Sequence, residues 1–221
     1  CLSLPENFNF YEGAALPETA FTVYHNVIER GRLTEREVIL IHGGSSGIGV
    51  MATQVAKAIG ATVIITAGSE EKCSFCIDVG ADHAINYNSS NFEENVRELY
   101  PKGVDVVLDM VGGSYFPQNV KVLGVDGRYL SIAFLQGSKV DLNLSSILLK
   151  RLTLTGSTLR PQTIEQKARI ADGVESLIWP MVSRGKIRSY VDRIFNLEEA
   201  KAAHELMESS AHKGKIVLKV R

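Results

Sequence analysis

The segment with the clearest chemical signature is the run His42-Gly43-Gly44-Ser45-Ser46-Gly47-Ile48-Gly49, between an apolar strand-like run and a helix-like run. In this context a glycine turn lets a pyrophosphate approach the backbone and meet the N–H groups at a helix start. Gly44 and Gly49 hold the outer positions of the usual G-x-G-x-x-G pattern, whereas Ser46 stands at the middle one and Gly47 follows one place later. The segment predicts a dinucleotide-binding turn with an imperfect motif.

The end of the second predicted strand bears on the choice between NAD and NADP. An NAD-binding unit places an acidic residue about 20 residues past the glycines, where it binds the adenine ribose. Here the strand ends in Ala67-Gly68-Ser69, and Lys72 follows within one turn. A hydroxyl and an ammonium suit a 2′-phosphate, although Glu70 and Glu71 would oppose it if either turned inward. The residues favour NADPH.

The same turn also fits the T-G-x-x-x-G-I-G pattern of the short-chain dehydrogenases, with His42 in place of the threonine. That family needs a Tyr-x-x-x-Lys pair to protonate its substrate. No tyrosine of the sequence has a lysine four residues later. The short-chain interpretation is therefore disfavoured on chemistry.

Short apolar runs alternate with helix-period stretches between residues 38 and 158, which is typical of βαβ units and a parallel sheet. The predicted strands cover residues 37–42, 62–66, 83–86, 104–110, 127–133 and 152–157. The predicted helices cover residues 48–59, 70–79, 92–99, 164–184 with a break at Trp179-Pro180, and 197–208. Gly214 leads into a last strand, KIVLKV. The pattern predicts an α/β fold, a doubly wound six-stranded parallel sheet.

Composition excludes several classes of function. The formal net charge is −1, from 24 basic and 25 acidic residues, so no basic field would attract nucleic acid or an anionic membrane. No run approaches the ~18 apolar residues of a membrane span. Three cysteines do not form a disulfide framework, which favours a reducing, cytoplasmic location.

Metal and hydrolytic sites lack support in the sequence. Cys73 and Cys76 have zinc-like spacing, but a structural zinc site needs four ligands, and no second pair accompanies them. The five histidines form no spaced cluster, and no Gly-x-Ser-x-Gly elbow is present. Hydride transfer needs few catalytic side chains because the cofactor supplies the chemistry. We therefore predict no metal site, and the catalytic residues stay unassigned.

Four stretches together resemble the medium-chain dehydrogenase/reductases, and within them the zinc-independent NADPH:quinone oxidoreductases of the zeta-crystallin type. They are AALPETAFTVYHNV, VILIHGGSSGIG, TAGSEEK with INY further on, and the closing GKIVLKV. The similarity runs over essentially the whole chain in the right order. It implies a Rossmann fold that binds NADPH.

The resemblance also implies which residues bind the cofactor. By position, Thr22 matches a residue near the nicotinamide, and Ser45, Ser46, Gly47 and Ile48 match the pyrophosphate loop. The remaining matches are a 2′-phosphate pocket and two loops beside the nicotinamide ribose: Gly68, Ser69, Lys72 and Tyr87 for the pocket, Phe134, Leu135 and Gln136 for one loop, and Thr158 and Leu159 for the other. Phe134 and Leu135 could instead be core residues at a strand end, and Tyr87 a half-buried cap over the third strand.

In the family the Rossmann domain is inserted into a GroES-like catalytic domain. We therefore expect residues 1–21 and 159–221 to be remnant pieces of that domain, and residues 22–158 to form the NADP-binding domain. The larger part of the catalytic domain would precede residue 1, so the chain is expected to be a fragment with much of its substrate cleft missing.

The sequence leaves three functions open. The first is an NADPH-dependent reductase that delivers hydride to a quinone or another small conjugated carbonyl acceptor. The alternatives are an enoyl reductase of the same superfamily and a non-catalytic NADPH-binding protein. The apolar runs LTLTGS and VDLNLSSILL predict a homodimer through the edge of the sheet, because a monomer would leave that edge unpaired.

Overall fold

A computed structural model of the chain describes residues 2–5 and 8–220. Its larger sheet has six parallel strands: Val38–His42 (β1), Thr62–Ala67 (β2), His83–Asn86 (β3), Val104–Asp109 (β4), Leu123–Ser131 (β5) and Thr153–Gly156 (β6). Their spatial order is β3-β2-β1-β4-β5-β6, which is the order of a doubly wound dinucleotide-binding sheet. The predicted fold class is confirmed.

Helices lie before, between and after these strands: Phe10–Ala14 (α1), Pro17–Val23 (α2), Gly47–Ile59 (α3), Glu70–Val79 (α4), Phe92–Leu99 (α5), Tyr115–Val122 (α6), Ser145–Lys150 (α7), Ile164–Gly173 (α8), Trp179–Ser183 (α9) and Ala200–Glu208 (α10). α2 continues as a π-helical segment, Tyr24–Arg30. α3 ends where predicted, because Gly60 takes a left-handed conformation at its carboxyl end (φ 98°).

Both faces of the large sheet are buried. Neighbouring residues such as Ile39 and Leu40 on β1 belong to two different apolar clusters, one on each side of the sheet. α2, α3, α4, α8 and α9 contribute to the first cluster, and α5 and α6 to the second. Burial on both faces explains why the strands read as continuous apolar runs instead of alternating ones.

Two sequence predictions are corrected by the structure. β5 begins at Leu123 and ends at Ser131, not at 127 and 133. The predicted break at Trp179-Pro180 is wrong, because helical backbone continues from Ile164 to Ser183 through a π-helical segment, Val174–Ile178. Pro180 lies in the first turn of α9, and the wider π turn just before it accommodates the missing N–H and the proline ring.

The chain ends in a second, two-stranded parallel sheet of Val191–Asn196 (β7) and Lys215–Lys219 (β8). β8 and the helix before it were predicted, whereas β7 was not. The predicted division into residues 1–21, 22–158 and 159–221 stays a prediction; α2 and α8 pack into one apolar cluster with the large sheet. No helix within the described ranges is long and apolar enough to cross a membrane.

Candidate functional site: the carboxyl edge of the sheet

The glycine-rich turn joins β1 to α3 and is shaped by close packing. Ser46 is the N-cap of α3, and its hydroxyl accepts a hydrogen bond from the Gly49 N–H at 3.1 Å. A Cβ at Gly44 would lie 2.5 Å from the Ile65 Cβ, and one at Gly49 would lie 2.3 Å from the Gly43 carbonyl oxygen. The two outer glycines therefore let the helix start pack directly on the strands, as in dinucleotide-binding turns.

The C-terminal segment lies against this turn. Gly214 donates its N–H to the Ser45 carbonyl at 2.8 Å and pairs with Ser46 in an isolated β-bridge. Ser45 is buried there. A Cβ at Gly47 would meet the aliphatic stem of Lys215. The residues predicted to bind the pyrophosphate thus lie between the start of α3 and the start of β8.

The predicted 2′-phosphate residues gather at the end of β2. Ser69 is the N-cap of α4, and its hydroxyl accepts from the Lys72 N–H at 3.2 Å. The Lys72 ammonium donates to the Ser210 carbonyl. A Cβ at Gly68 would lie 2.6 Å from the Tyr87 hydroxyl, so Tyr87 covers the bare backbone of the turn.

Neither acidic residue of this turn competes for Lys72 within the contacts described. Glu70 accepts a hydrogen bond from the Asn86 amide at 2.7 Å. Glu71 pairs with Lys213 at 2.8 Å, and that hydrogen bond lowers the pKa of its carboxyl. Glu71 is thus paired with a second lysine, whereas Glu70 is held by an uncharged amide.

A cavity of about 740 Å³ opens beside the turn. Four predicted cofactor residues line it: Thr22, Ile48, Thr158 and Leu159. Arg160 and Lys167 add positive charge to its wall, and Glu18 adds a carboxylate that pairs with Lys215 at 3.5 Å. Residues from α2, α3 and the segment after β6 therefore meet around one space.

The predicted loop after β5 lies apart from that cavity. Phe134 lines a second cavity of about 380 Å³, together with Gly112 and Gly156. Leu135 and Gln136 sit on the exposed side of the loop. Phe134 and Leu135 are both exposed, so neither is a core residue.

Sequence reasoning missed a histidine–carboxylate pair in the wall of the large cavity. His25 Nδ1 lies 2.6 Å from the Glu29 carboxylate, and His25 Nε2 lies 3.0 Å from the Gln162 side-chain nitrogen. An i,i+4 spacing on a helix could have revealed the first contact. The second joins residues far apart in sequence and carried no local signal.

A second missed group is a buried polar cluster beneath the same edge. It comprises Thr66 of β2, His42 of β1, Asn119 of α6, Asp109 of β4 and Tyr129 of β5, all of them buried. Burial lowers the pKa of His42 and raises that of Tyr129, so both side chains are neutral at pH 7.

Among the described residues, the cysteine pair has no metal-binding partners. Cys73 and Cys76 are buried free thiols in α4, and burial raises the pKa of Cys76 to about 12. Within residues 2–5 and 8–220, no group of three or more His, Cys, Asp or Glu side chains could hold a metal ion.

Comparison with known proteins gives consistent matches. The family model described as zinc-binding dehydrogenase matches residues 47–172. A rat quinone oxidoreductase is 30% identical over 217 residues, which cover 97% of this chain and 64% of the rat protein. The chain thus spans less than two thirds of the length of that relative.

Two solved structures superpose closely on the chain. An Escherichia coli quinone oxidoreductase complexed with NADPH has a TM-score of 0.86 and 28% identity, covering 98% of this chain and 67% of that one. An NAD-dependent alcohol dehydrogenase has the same TM-score and 32% identity, covering 98% and 61% of the two chains. The first structure thus contains NADPH, whereas the second protein is called NAD-dependent.

Proposed function

Because the chain belongs to the zinc-binding dehydrogenase family of medium-chain dehydrogenase/reductases, we propose that it is part of an NADPH-dependent reductase of quinones or other conjugated carbonyls. The observation that carries this proposal is the arrangement of the carboxyl edge. There the Ser69–Lys72 pair, the glycine turn and the 740 Å³ cavity follow one another from β2 across β1 to β6.

The residues at this edge fit a dinucleotide phosphate. The start of α3 offers backbone N–H groups and the positive end of a helix dipole to a pyrophosphate. Lys72 and Ser69 offer an ammonium and a hydroxyl to a 2′-phosphate, and Tyr87 covers Gly68 beside them. We assign the adenosine end of NADPH to these residues.

The nicotinamide end is assigned to the far side of the edge. Thr22, Thr158 and Leu159 line the large cavity, and Phe134 of the loop after β5 lines the second cavity together with Gly156 at the end of β6. When bound, NADPH supplies the hydride. The cavity walls orient the acceptor against it, and the proton for the reduced acceptor comes from water or from a side chain of the wall.

The test is steady-state NADPH oxidation by the full-length protein with a panel of small quinones and an enoyl thioester. Faster oxidation with quinones supports the proposal. Faster oxidation with the thioester would identify an enoyl reductase instead. Tight NADPH binding without oxidation by any acceptor would identify a non-catalytic binding protein.

The remaining proposals concern assembly and location. We propose a homodimer through the free edge strand β6, because the adjoining α7 exposes Leu148 and Leu149. We also propose a reducing, cytoplasmic location, supported by the free thiols of Cys73 and Cys76.

A further inference from the structure

Asp109 is a fully buried carboxylate at the carboxyl end of β4. Within residues 2–5 and 8–220, no lysine or arginine lies within ion-pair distance of it. A buried charge without a counter-ion is costly unless hydrogen bonds satisfy it. Here the donors are the Tyr129 hydroxyl at 2.7 Å, the Asn119 amide at 3.1 Å and the backbone N–H groups of Val111 and Gly112 at 2.6 and 3.2 Å.

The hydrogen bonds continue from Asp109 to the first two strands. Asn119 uses its amide nitrogen for Asp109, so its oxygen accepts from His42 Nε2 at 2.7 Å. His42 Nδ1 then accepts from the Thr66 hydroxyl at 3.0 Å. One chain of bonds therefore ties the carboxyl ends of β1, β2, β4 and β5 to α6.

On the other side, Asp109 fixes a loop that touches the predicted nicotinamide loop. The carbonyls of Met110 and Val111 accept the N–H groups of Leu135 and Gln136 at 3.1 and 2.8 Å. Gly113 donates to the Gly137 carbonyl at 2.9 Å. A Cβ at Gly113 would lie 2.5 Å from the Gln136 carbonyl oxygen, so the two backbones are in direct contact.

The same loop also reaches the glycine turn. The Met110 sulfur would lie 2.9 Å from a Cβ at Gly43, and the Ser46 hydroxyl lies 3.9 Å from that sulfur. The loop after β4 is thus packed between the pyrophosphate turn and the loop after β5. Its conformation depends on the two N–H groups held by Asp109.

We propose that Asp109 is a positioning residue: by holding residues 110–113, it sets the loop 134–137 in the conformation that receives the nicotinamide half of NADPH. This inference rests on the proposed function. A change at Asp109 should therefore affect the binding of the nicotinamide end and not that of the adenosine end. Ser69 and Lys72, which are assigned to the adenosine end, lie at the N-terminus of α4 and make no contact with Asp109 among those described.

The test compares NADPH with adenosine 2′,5′-bisphosphate. This compound contains the adenosine with its 2′-phosphate and 5′-phosphate but lacks the nicotinamide half. Dissociation constants are measured by calorimetry for the wild type, Asp109→Asn and Tyr129→Phe, at a temperature where circular dichroism shows each to be folded. Asp82→Asn is the matched control. Asp82 also accepts a backbone N–H, that of Val63 at 2.7 Å, but it lies just before β3, at the opposite edge of the sheet.

We expect Asp109→Asn to raise the dissociation constant of NADPH about tenfold, equivalent to about 1.4 kcal/mol, and to leave that of the bisphosphate within about twofold. Tyr129→Phe should shift the ratio of the two constants in the same direction by less, and Asp82→Asn should not shift it. A parallel change for both ligands, or no change, would overturn the inference. If Asp109→Asn does not fold, an unshifted ratio in Tyr129→Phe overturns it. A wild type that binds neither ligand would overturn the proposed function itself.

Discussion

Lys72 is the residue on which the proposed preference for NADPH depends. Lys72→Ala should weaken NADPH binding by about tenfold or more, because a hydrogen bond to a charged group is worth about 1.5–3 kcal/mol. NADH has no 2′-phosphate, so its affinity should stay within about twofold. Calorimetry with both cofactors measures the difference, and Lys57→Ala is the control because Lys57 pairs with Asp82. Equal losses for NADPH and NADH would contradict the assignment.

His42 should make stability depend on pH. Burial holds its pKa below the ordinary value, against the opposing charge of Asp109. The unfolded chain therefore binds this proton more readily, so the stabilising contribution is complete above about pH 6.5 and is lost as the pH falls further, by up to about 1.4 kcal/mol per pH unit. Urea unfolding at pH 7.5 and 5.5 should show a larger loss for the wild type than for His42→Gln. Identical losses would show that His42 does not titrate on unfolding.

Some residues of the candidate site could be predicted from the sequence, and others could not. Ser69 and Lys72 are close in sequence and share one helix start, so a local pattern could predict them together. Asp109, Asn119 and His42 come from three elements, and only the packing of those elements joins them. No spacing in the sequence indicates such a cluster, so sequence analysis did not predict it.

At the scale of elements, the turn between β1 and α3 offers a matched pair of substitutions. In Gly49→Ala the new methyl group meets the backbone of Gly43 and Gly44, whereas in Gly47→Ala it meets the flexible side chain of Lys215. Overpacking against backbone costs about 1–3 kcal/mol. We expect Gly49→Ala to lower the free energy of unfolding by that amount and Gly47→Ala by less than about 1 kcal/mol. Urea denaturation measures both, and similar losses would argue against the close helix–strand contact.

The strands β1, β2 and β4 could be predicted well because they are buried on both faces, and α3, α4 and α5 because each begins at a capping side chain. β7 shows the opposite case. Its side chains are mostly exposed, with the pattern VDRIFN, so neither apolar continuity nor regular alternation marked it. The prediction of a helix break at Trp179-Pro180 was wrong for another reason. A π turn can accommodate a proline that the local sequence alone indicates as a break.

At the scale of the whole molecule, β6 is a free edge of the sheet. We expect a dimer mass by light scattering at micromolar concentration. Leu148→Glu combined with Leu149→Glu should shift it to the monomer, because burying unpaired charges is unfavourable. These side chains are 79% and 75% exposed. Ile164→Glu is the control, since Ile164 is 82% exposed and lies outside β6 and α7. A monomeric wild type would contradict the proposed interface.

NADPH binding should not depend on zinc. The proposed nucleotide site at the carboxyl edge of the sheet consists of backbone N–H groups, hydroxyls and a lysine, which are not preferred zinc ligands. Calorimetric titration before and after treatment with a chelator should give the same dissociation constant. A loss of binding that added zinc restores would show that a metal ion supports the site.

The contact between Gly214 and the turn at Ser45 and Ser46 has a consequence for the order of events during synthesis. The ribosome makes the turn well before the segment that covers it, because the two lie far apart in the sequence. Contacts between distant parts of a chain form late because loop closure costs entropy. The predicted nucleotide-binding turn therefore reaches its final form only after the segment around Gly214 has been made.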